Sequence, residues 1–250
     1  MKKQILILAA TFITVAFISC SKEKIETSSA NQPAEEVTAL NPPGGPIVID
    51  PLSVGLLGRY EFNSNLKEFT GQLPNWISTA NRAIYTTDRK GGANKAIRFN
   101  QAYGLYLLDV PLDTNMSVSV WVKNDIFPVN HKVPFVEIAR SISFHQEENK
   151  YMAASWNGIA GQYVYSGAID NNWHHIAATR DKISLKFYVD GNLIGSSPTP
   201  AGFSLDDLVT DYGVGYGFNA GYKYWKGNMD DLRIYKRVLS PVEVTKLKNL

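Results

Sequence analysis

The chain has 250 residues, of which 44% are hydrophobic and 19% charged, with 12% aromatic. That composition belongs to a soluble globular protein with a β-leaning aromatic content. Lys and Arg number 25 against 23 Asp and Glu, and no clustered basic excess of the kind phosphate binding requires is present, which argues against a nucleic-acid partner.

Chain order begins with an export-type segment. Lys2 and Lys3 form a basic start, Ile5 to Ile18 an apolar run, and Phe17-Ile-Ser-Cys20 closes it. The run is shorter than the roughly 20 residues that cross a bilayer as a permanent helix, so 1–19 reads as a cleaved signal. Its ending resembles a bacterial lipobox, which implies lipidation of Cys20 and a lipoprotein held at the cell envelope, on the outer membrane. Cys20 is the single cysteine, so no intramolecular disulfide competes for it. Without 1–19 the chain loses two lysines and no acid, and 25 − 2 leaves 23 basic against 23 acidic residues. Residues 20–53 are rich in Ser, Thr, Glu, Asn and Pro and read as a flexible tether, although Ile47-Val-Ile could add an edge strand.

From residue 54 onward, strand-like runs alternate with turn residues. Leu56 to Phe62, Ala96 to Phe99, Leu105 to Val110, Ser117 to Lys123, Phe135 to Arg140, Tyr151 to Trp156 and Gln162 to Tyr165 are separated by Gly, Asn, Asp and Pro. Trp173 to Gly195 then reads as two antiparallel strands and the start of a third. Ile183, Leu185, Phe187 and Val189 alternate with polar or amphipathic neighbours, and Asp190-Gly191 supplies a turn in which both residues take positive φ. Near the C-terminus, Ser240-Pro-Val-Glu243 offers an N-cap, a first-turn proline and a capping-box glutamate, which predicts one short helix. The pattern as a whole is all-β, in two antiparallel sheets.

Several of these stretches carry a resemblance. Trp173-His-His-Ile-Ala followed by Leu185-Lys-Phe-Tyr-Val-Asp-Gly, together with Gly55-Leu-Leu-Gly-Arg-Tyr-Glu-Phe-Asn-Ser-Asn, Ser117-Val-Ser-Val-Trp-Val-Lys and Gly227-Asn-Met-Asp-Asp-Leu-Arg-Ile-Tyr-Lys-Arg-Val-Leu-Ser, resembles the laminin-G-like, concanavalin A-like jelly-roll domains. It spans about residues 54–250 and implies a two-sheet jelly-roll sandwich. The fold hosts lectins, adhesion modules and enzymes, so function has to come from the site.

Three groups of residues are candidates for that site. Adjacent Asp230 and Asp231 open the closing strand, and period-two counting puts Asp230 with Leu232 and Ile234 on the core side. The resemblance implies a structural calcium here, held by Asn63, Glu68 and Asp230, although Glu68 and Gln72 stand where the family usually has Asp and Asn. The alternative is an Asp230 satisfied by backbone N–H groups or by an arginine such as Arg233 or Arg98. Secondly, Tyr216, Tyr222, Tyr224 and Trp225 crowd a glycine-rich stretch and offer a platform on which sugar rings could stack. Ordinary rim packing is the competing account, and Trp76, Trp156 and Asn157 are lesser candidates. Lastly, His174 and His175 are adjacent in a strand and so face opposite sides, which speaks against joint metal binding, while His131 and His145 lack spaced metal-ligand partners.

Catalytic signatures are missing from the sequence. No Glu-x-Asp strand motif, Gly-x-Ser-x-Gly elbow, P-loop or His-Glu-x-x-His is present. The expected function is therefore non-catalytic binding, most readily of a glycan or polysaccharide, with a protein-interaction or adhesion role as the alternative and a glycan-active enzyme as the least favoured reading.

Overall fold

The computed structural model describes residues 49–108, 110, 113–125, 132–139, 141–156, 160–201, 211–217 and 224–250. Cys20, Tyr222, His131 and Asn157 lie outside the described residues, as does most of the tether.

The described chain is β-rich from its start. It begins with β1 (Leu56–Tyr60), β2 (Ile77–Ser78), β3 (Tyr85–Thr86), β4 (Ala96–Asn100) and β5 (Leu105–Leu107). Longer strands follow: β6 (Met116–Asn124), β7 (Lys132–Ile138), β8 (Ile142–Glu147), β9 (Lys150–Trp156) and β10 (Gly161–Ala168). The remaining elements are β11 (His174–Arg180), β12 (Ser184–Val189), β13 (Asn192–Pro198), β14 (Tyr212–Val214), β15 (Lys226–Tyr235) and helix α1 (Pro241–Lys248).

These strands form two antiparallel sheets, the jelly-roll arrangement the sequence predicts. The first runs β13-β12-β11-β6-β15-β4-β3, and the second β10-β9-β8-β7-β14-β5-β2. β15 is the organising strand of the first sheet. One edge of β15 pairs with β6, while the other is divided between β4, which takes Lys226 to Met229, and β1, which takes Leu232 to Tyr235. Val118, Val120 and Val122 of β6, Ile176 and Ala178 of β11, and Leu185 and Phe187 of β12 face Phe135, Phe144, Tyr151 and Val164 of the second sheet in one continuous core. Burying each such side chain contributes about 1.5–3 kcal/mol.

A smaller cluster closes the back of the first sheet. Ala177, Tyr188 and Tyr235 pack against Leu239, Val244 and Leu247, so α1 is held by its own apolar residues. Its start has the predicted chemistry: Ser240 Oγ accepts from the Glu243 N–H, and the Glu243 carboxylate accepts from the Ser240 N–H. Arg237 adds two bonds to the same carboxylate, at 3.0 and 2.7 Å.

The hairpin turn also has the predicted form. Val189 pairs with Asn192, and Asp190 and Gly191 take φ of 51° and 81°, the two positive values a two-residue turn of this type needs. Ile183 departs from the expected alternation. It lies in the corner before β12 and is 78% exposed, because the strand begins only at Ser184.

A bulge in β15 decides where its carboxylates point. Asp230 pairs with Trp121 of β6, yet the next pairing on that side is Arg233 with Ser119, so β15 spends one more residue than its partner. Asp231 absorbs the excess with φ +47°. Period-two counting fails across such an insertion, and the expectation that Asp230 shares a side with Leu232 and Ile234 is overturned: it shares one with Trp121 and Arg233, on the outer face.

Candidate functional site

The residues expected to hold calcium are each engaged otherwise. Both oxygens of Glu68 accept backbone N–H groups, from Arg59 and Thr70 at 2.8 Å and from Gly71 at 2.6 Å. Burial alone would raise this carboxyl, but the N–H donors outweigh it and hold Glu68 below the ordinary carboxylate range. Asn63 donates its side-chain N–H to Glu61 at 2.9 Å. Asp230 is bound by the Arg89 guanidinium, whose other nitrogen stands 3.7 Å from Asp231. Asp231 is in turn gripped by Arg233 through Nε at 2.9 Å and Nη2 at 3.2 Å. Burial pushes the Asp230 carboxyl up to about 7, with the Arg89 charge pulling the other way.

Asn63 and Asp230 do line one cleft, of about 330 Å³, but Glu68 is not among its walls; Glu61, Asp88, Arg89 and Lys95 are. Among the described residues no three His, Cys, Asp or Glu side chains gather as they would around a metal ion. These donors do not fit a calcium site. The sequence reading correctly allowed for an arginine, but named others: Arg98 is spent on Asp125 and Asn228, and Arg233 on Asp231.

The glycine-rich aromatic stretch is core rather than platform. Trp225 is 1% exposed, with its ring 5.2 Å from Phe135 and 5.9 Å from Phe99, and its indole N–H donates to Gln146 Oε1 at 3.0 Å. Tyr216 is also buried, over Gly104, and stacks on Tyr224 with centroids 5.7 Å apart. Tyr224 is partly exposed. Trp225 and Tyr216 therefore offer no free ring face to a sugar, which corrects the platform expectation for those two. Among the lesser candidates, Trp76 is buried against Tyr60.

The two histidines diverge as their adjacency requires. His174 lies between Asp190 at Nδ1, 2.9 Å, and Asp170 at Nε2, 3.0 Å. The Asp190 bond leads in raising its pKa above the ordinary histidine value. His175, on the other face, is buried beside Trp121, shares a 2.7 Å bond with Ser119, and is driven down to about 4 by burial.

An open aromatic surface does exist, on the outer face of the second sheet. Trp156 at the end of β9 is 46% exposed, and Tyr163 and Tyr165 on the neighbouring edge strand β10 are 40% and 42% exposed. Register brings them together: Trp156 pairs with Gly161, Ala154 with Tyr163, and Met152 with Tyr165. The Tyr163 ring lies back along its own strand, because a Cβ at Gly161 would meet its ring carbons at 2.7 Å. Lys132 arrives from β7, across two intervening strands, to donate to Tyr165 Oη at 3.1 Å. Its ammonium lies 5.6 Å from the Tyr163 centroid and 5.7 Å from that of Tyr165. The bond to Tyr165 holds the Lys132 pKa above its ordinary value.

Polar groups lie next to these rings. On adjacent β8, His145 pairs with Met152 and Ser143 with Ala154, and His145 Nε2 is 3.0 Å from Ser143 Oγ. Burial, followed by the Lys132 charge, pushes His145 down to about 4, so it stays neutral. Glu147 pairs across the sheet with both Lys132 and Lys150, and its carboxylate is 3.6 Å from the Lys132 ammonium. Ring faces beside neutral and charged hydrogen-bonding groups can stack on a ring of mixed apolar and polar character while bonding its hydroxyls. Of this surface only Trp156 was singled out from sequence. The signal for the tyrosines was the alternation Gln162-Tyr-Val-Tyr-Ser166, which puts both on one side but does not say which side is wet.

Two antiparallel sheets in this strand order, capped by a short helix, define a lectin-like jelly-roll sandwich. The concanavalin A-like lectin/glucanases superfamily model matches residues 92–245, and the chain belongs to that family. Solved structures share the fold. Domain 4 of AbnA, a GH43 extracellular arabinanase from Geobacillus stearothermophilus in complex with arabinotriose, is 24% identical with a TM-score of 0.63, over 77% of this chain and 98% of that one. The binding domain of Paraclostridial Mosquitocidal Protein 1 is 16% identical with a TM-score of 0.62, over 78% of this chain and 52% of that one. The binding domain of botulinum neurotoxin DC in complex with rat synaptotagmin II is 12% identical with a TM-score of 0.58, over 78% and 51% respectively. No curated protein matches the sequence.

Proposed function

We propose that this domain is a non-catalytic glycan-binding module whose contact surface is the outer face of the second sheet, with Trp156, Tyr163 and Tyr165 as stacking residues and Lys132 as the polar handle. The observation that carries the reading is the exposure of three aromatic side chains, each 40% or more, on one face of two paired strands. Apolar side chains exposed side by side on a soluble protein mark an interaction surface, where isolated ones need no explanation. The arabinotriose complex of the arabinanase domain supports the same reading, as a likeness of fold with a saccharide-bound protein.

Glycan-array retention of the soluble domain, residues 45–250, tests the proposal, with Tyr163→Ala and Tyr165→Ala compared with the wild type. Loss of retention in both variants at unchanged melting temperature is expected. Retention by both variants equal to that of the wild type overturns the assigned surface. No retention by the wild type across a broad panel, with capture of a defined protein partner on the same strip, moves the function to the adhesion alternative.

We also propose that the domain is displayed from the cell envelope through lipidation of Cys20, with the segment to residue 53 as its tether. The lipobox-like Phe17-Ile-Ser-Cys20 supports this. Metabolic labelling with a fatty-acid probe should mark the wild type and not Cys20→Ala; equal labelling of the two refutes lipidation at that cysteine.

A further inference from the structure

We propose that Arg89 is the resident cation of the Asp230–Asp231 pair on β15, so that a guanidinium of the chain itself does there what the family resemblance assigns to calcium. Two adjacent carboxylates, Asp230 and Asp231, are forced together on the outer side of the sheet by the β15 bulge. Both side chains are largely sheltered from solvent, at 6% and 11% exposure, so their charge has to be met by a partner rather than by water.

Arg89 meets it from the turn between β3 and β4. One guanidinium nitrogen bonds Asp230 and the other stands 3.7 Å from Asp231, while the plane rests 5.0 Å from the Trp121 centroid. Being planar and permanently charged, a guanidinium suits carboxylates on one edge and an aromatic ring on its face at once. Arg233 supplies the second positive charge through its two bonds to Asp231. Two carboxylates are thus matched by two guanidiniums. Glu68, the remaining carboxylate of the expected metal set, has its oxygens on the backbone N–H groups of Arg59, Thr70 and Gly71 and is not among the walls of the cleft.

This arrangement ties the β3–β4 turn to the closing strand by an interaction that needs no ion from outside. A rim fixed by calcium loosens in chelator; a rim fixed by arginine does not.

Thermal unfolding of the soluble domain in excess calcium and in excess chelator is the test, with Arg89→Met alongside. Methionine keeps the apolar stem over Trp121 and removes the charge. The wild type should melt at the same temperature in both buffers and show no stoichiometric calcium binding by calorimetry. Arg89→Met should melt lower, on the order of 5 °C or more, because a sheltered carboxylate loses its partner. A wild-type melting temperature that falls in chelator, or a calcium ion bound one to one, overturns the proposal, as does an Arg89→Met variant that melts like the wild type. Should the variant not fold, the wild-type comparison of calcium and chelator decides by itself.

Discussion

The ring of Tyr163 occupies the space above Gly161, two residues earlier on the same strand, so closely that a Cβ on residue 161 would sit 2.4 Å from the tyrosine oxygen. Gly161 is thus part of the aromatic surface although it has no side chain to offer. Gly161→Ala should lift or rotate the ring and weaken glycan retention about as much as Tyr163→Ala, on the order of tenfold, or about 1.4 kcal/mol. The melting temperature should change little, since β10 is an edge strand. Array retention and calorimetric melting, measured on the same preparations, check both halves.

Trp225 makes the opposite kind of prediction. Its ring fills the core beside Phe99 and Phe135, and its N–H satisfies a buried Gln146 oxygen. Trp225→Ala should cost about 3–5 kcal/mol of unfolding free energy. Denaturant titration reads that loss directly. Trp225→Phe restores most of the volume without the N–H, and should recover part of it.

His174 ties stability to pH. Its folded pKa is raised above the ordinary value by Asp190 and Asp170, so its contribution is fully present below about 6.5 and is lost as pH rises through the folded pKa. His174→Gln should flatten stability across that upper window. His175 has the reverse sign. Buried and neutral, with its pKa near 4, it takes stability away as pH falls from about 6.5 toward 4. His175→Gln should remove the acid-side loss, and urea midpoints across the pH range separate the two.

At the helix start, Glu243 is held down at about 2, first by Arg237 and then by the Ser240 cap. A depressed carboxyl contributes above its unfolded value and is lost as pH falls, here from about 4.5 to about 2. Ser240→Ala should cost about 1 kcal/mol at neutral pH. Arg237→Ala should move the acid transition of α1 to higher pH, followed by helical circular dichroism.

What the sequence reveals and what it conceals divide along the range of the interactions. The Asp190-Gly191 turn and the Ser240 to Glu243 cap are decided by residues within a few positions of one another, and both read correctly. The face taken by Asp230 is decided by how β15 meets β6, more than a hundred residues earlier, and one inserted residue defeats the counting. The glycines around Trp225 misled for a related reason. Gly215 reads as loop and Gly227 as the start of the closing strand, but a Cβ at either would lie 2.2 Å from Phe99 or 2.3 Å from Trp225. They are small because large rings pack on them. For Tyr163 and Tyr165 the period was legible, but only the first sheet, packed against Val164, shows which face stays wet.

The division of β15 between its neighbours has a bearing on how the chain is made. Among the described residues β1 pairs only with β15, and β4 finds in β15 the long partner that joins it to the sheet. Residues 56–60 emerge early in synthesis and gain their strand-to-strand hydrogen bonds only once the chain has been extended through Tyr235. Until then the first strand is an unpaired edge beside exposed core residues, and pairings this distant in sequence close slowly. A chain stopped short of Lys226 would lose β15 together with the seats of β1 and β4. Ordered assembly of the first sheet therefore waits for its last strand.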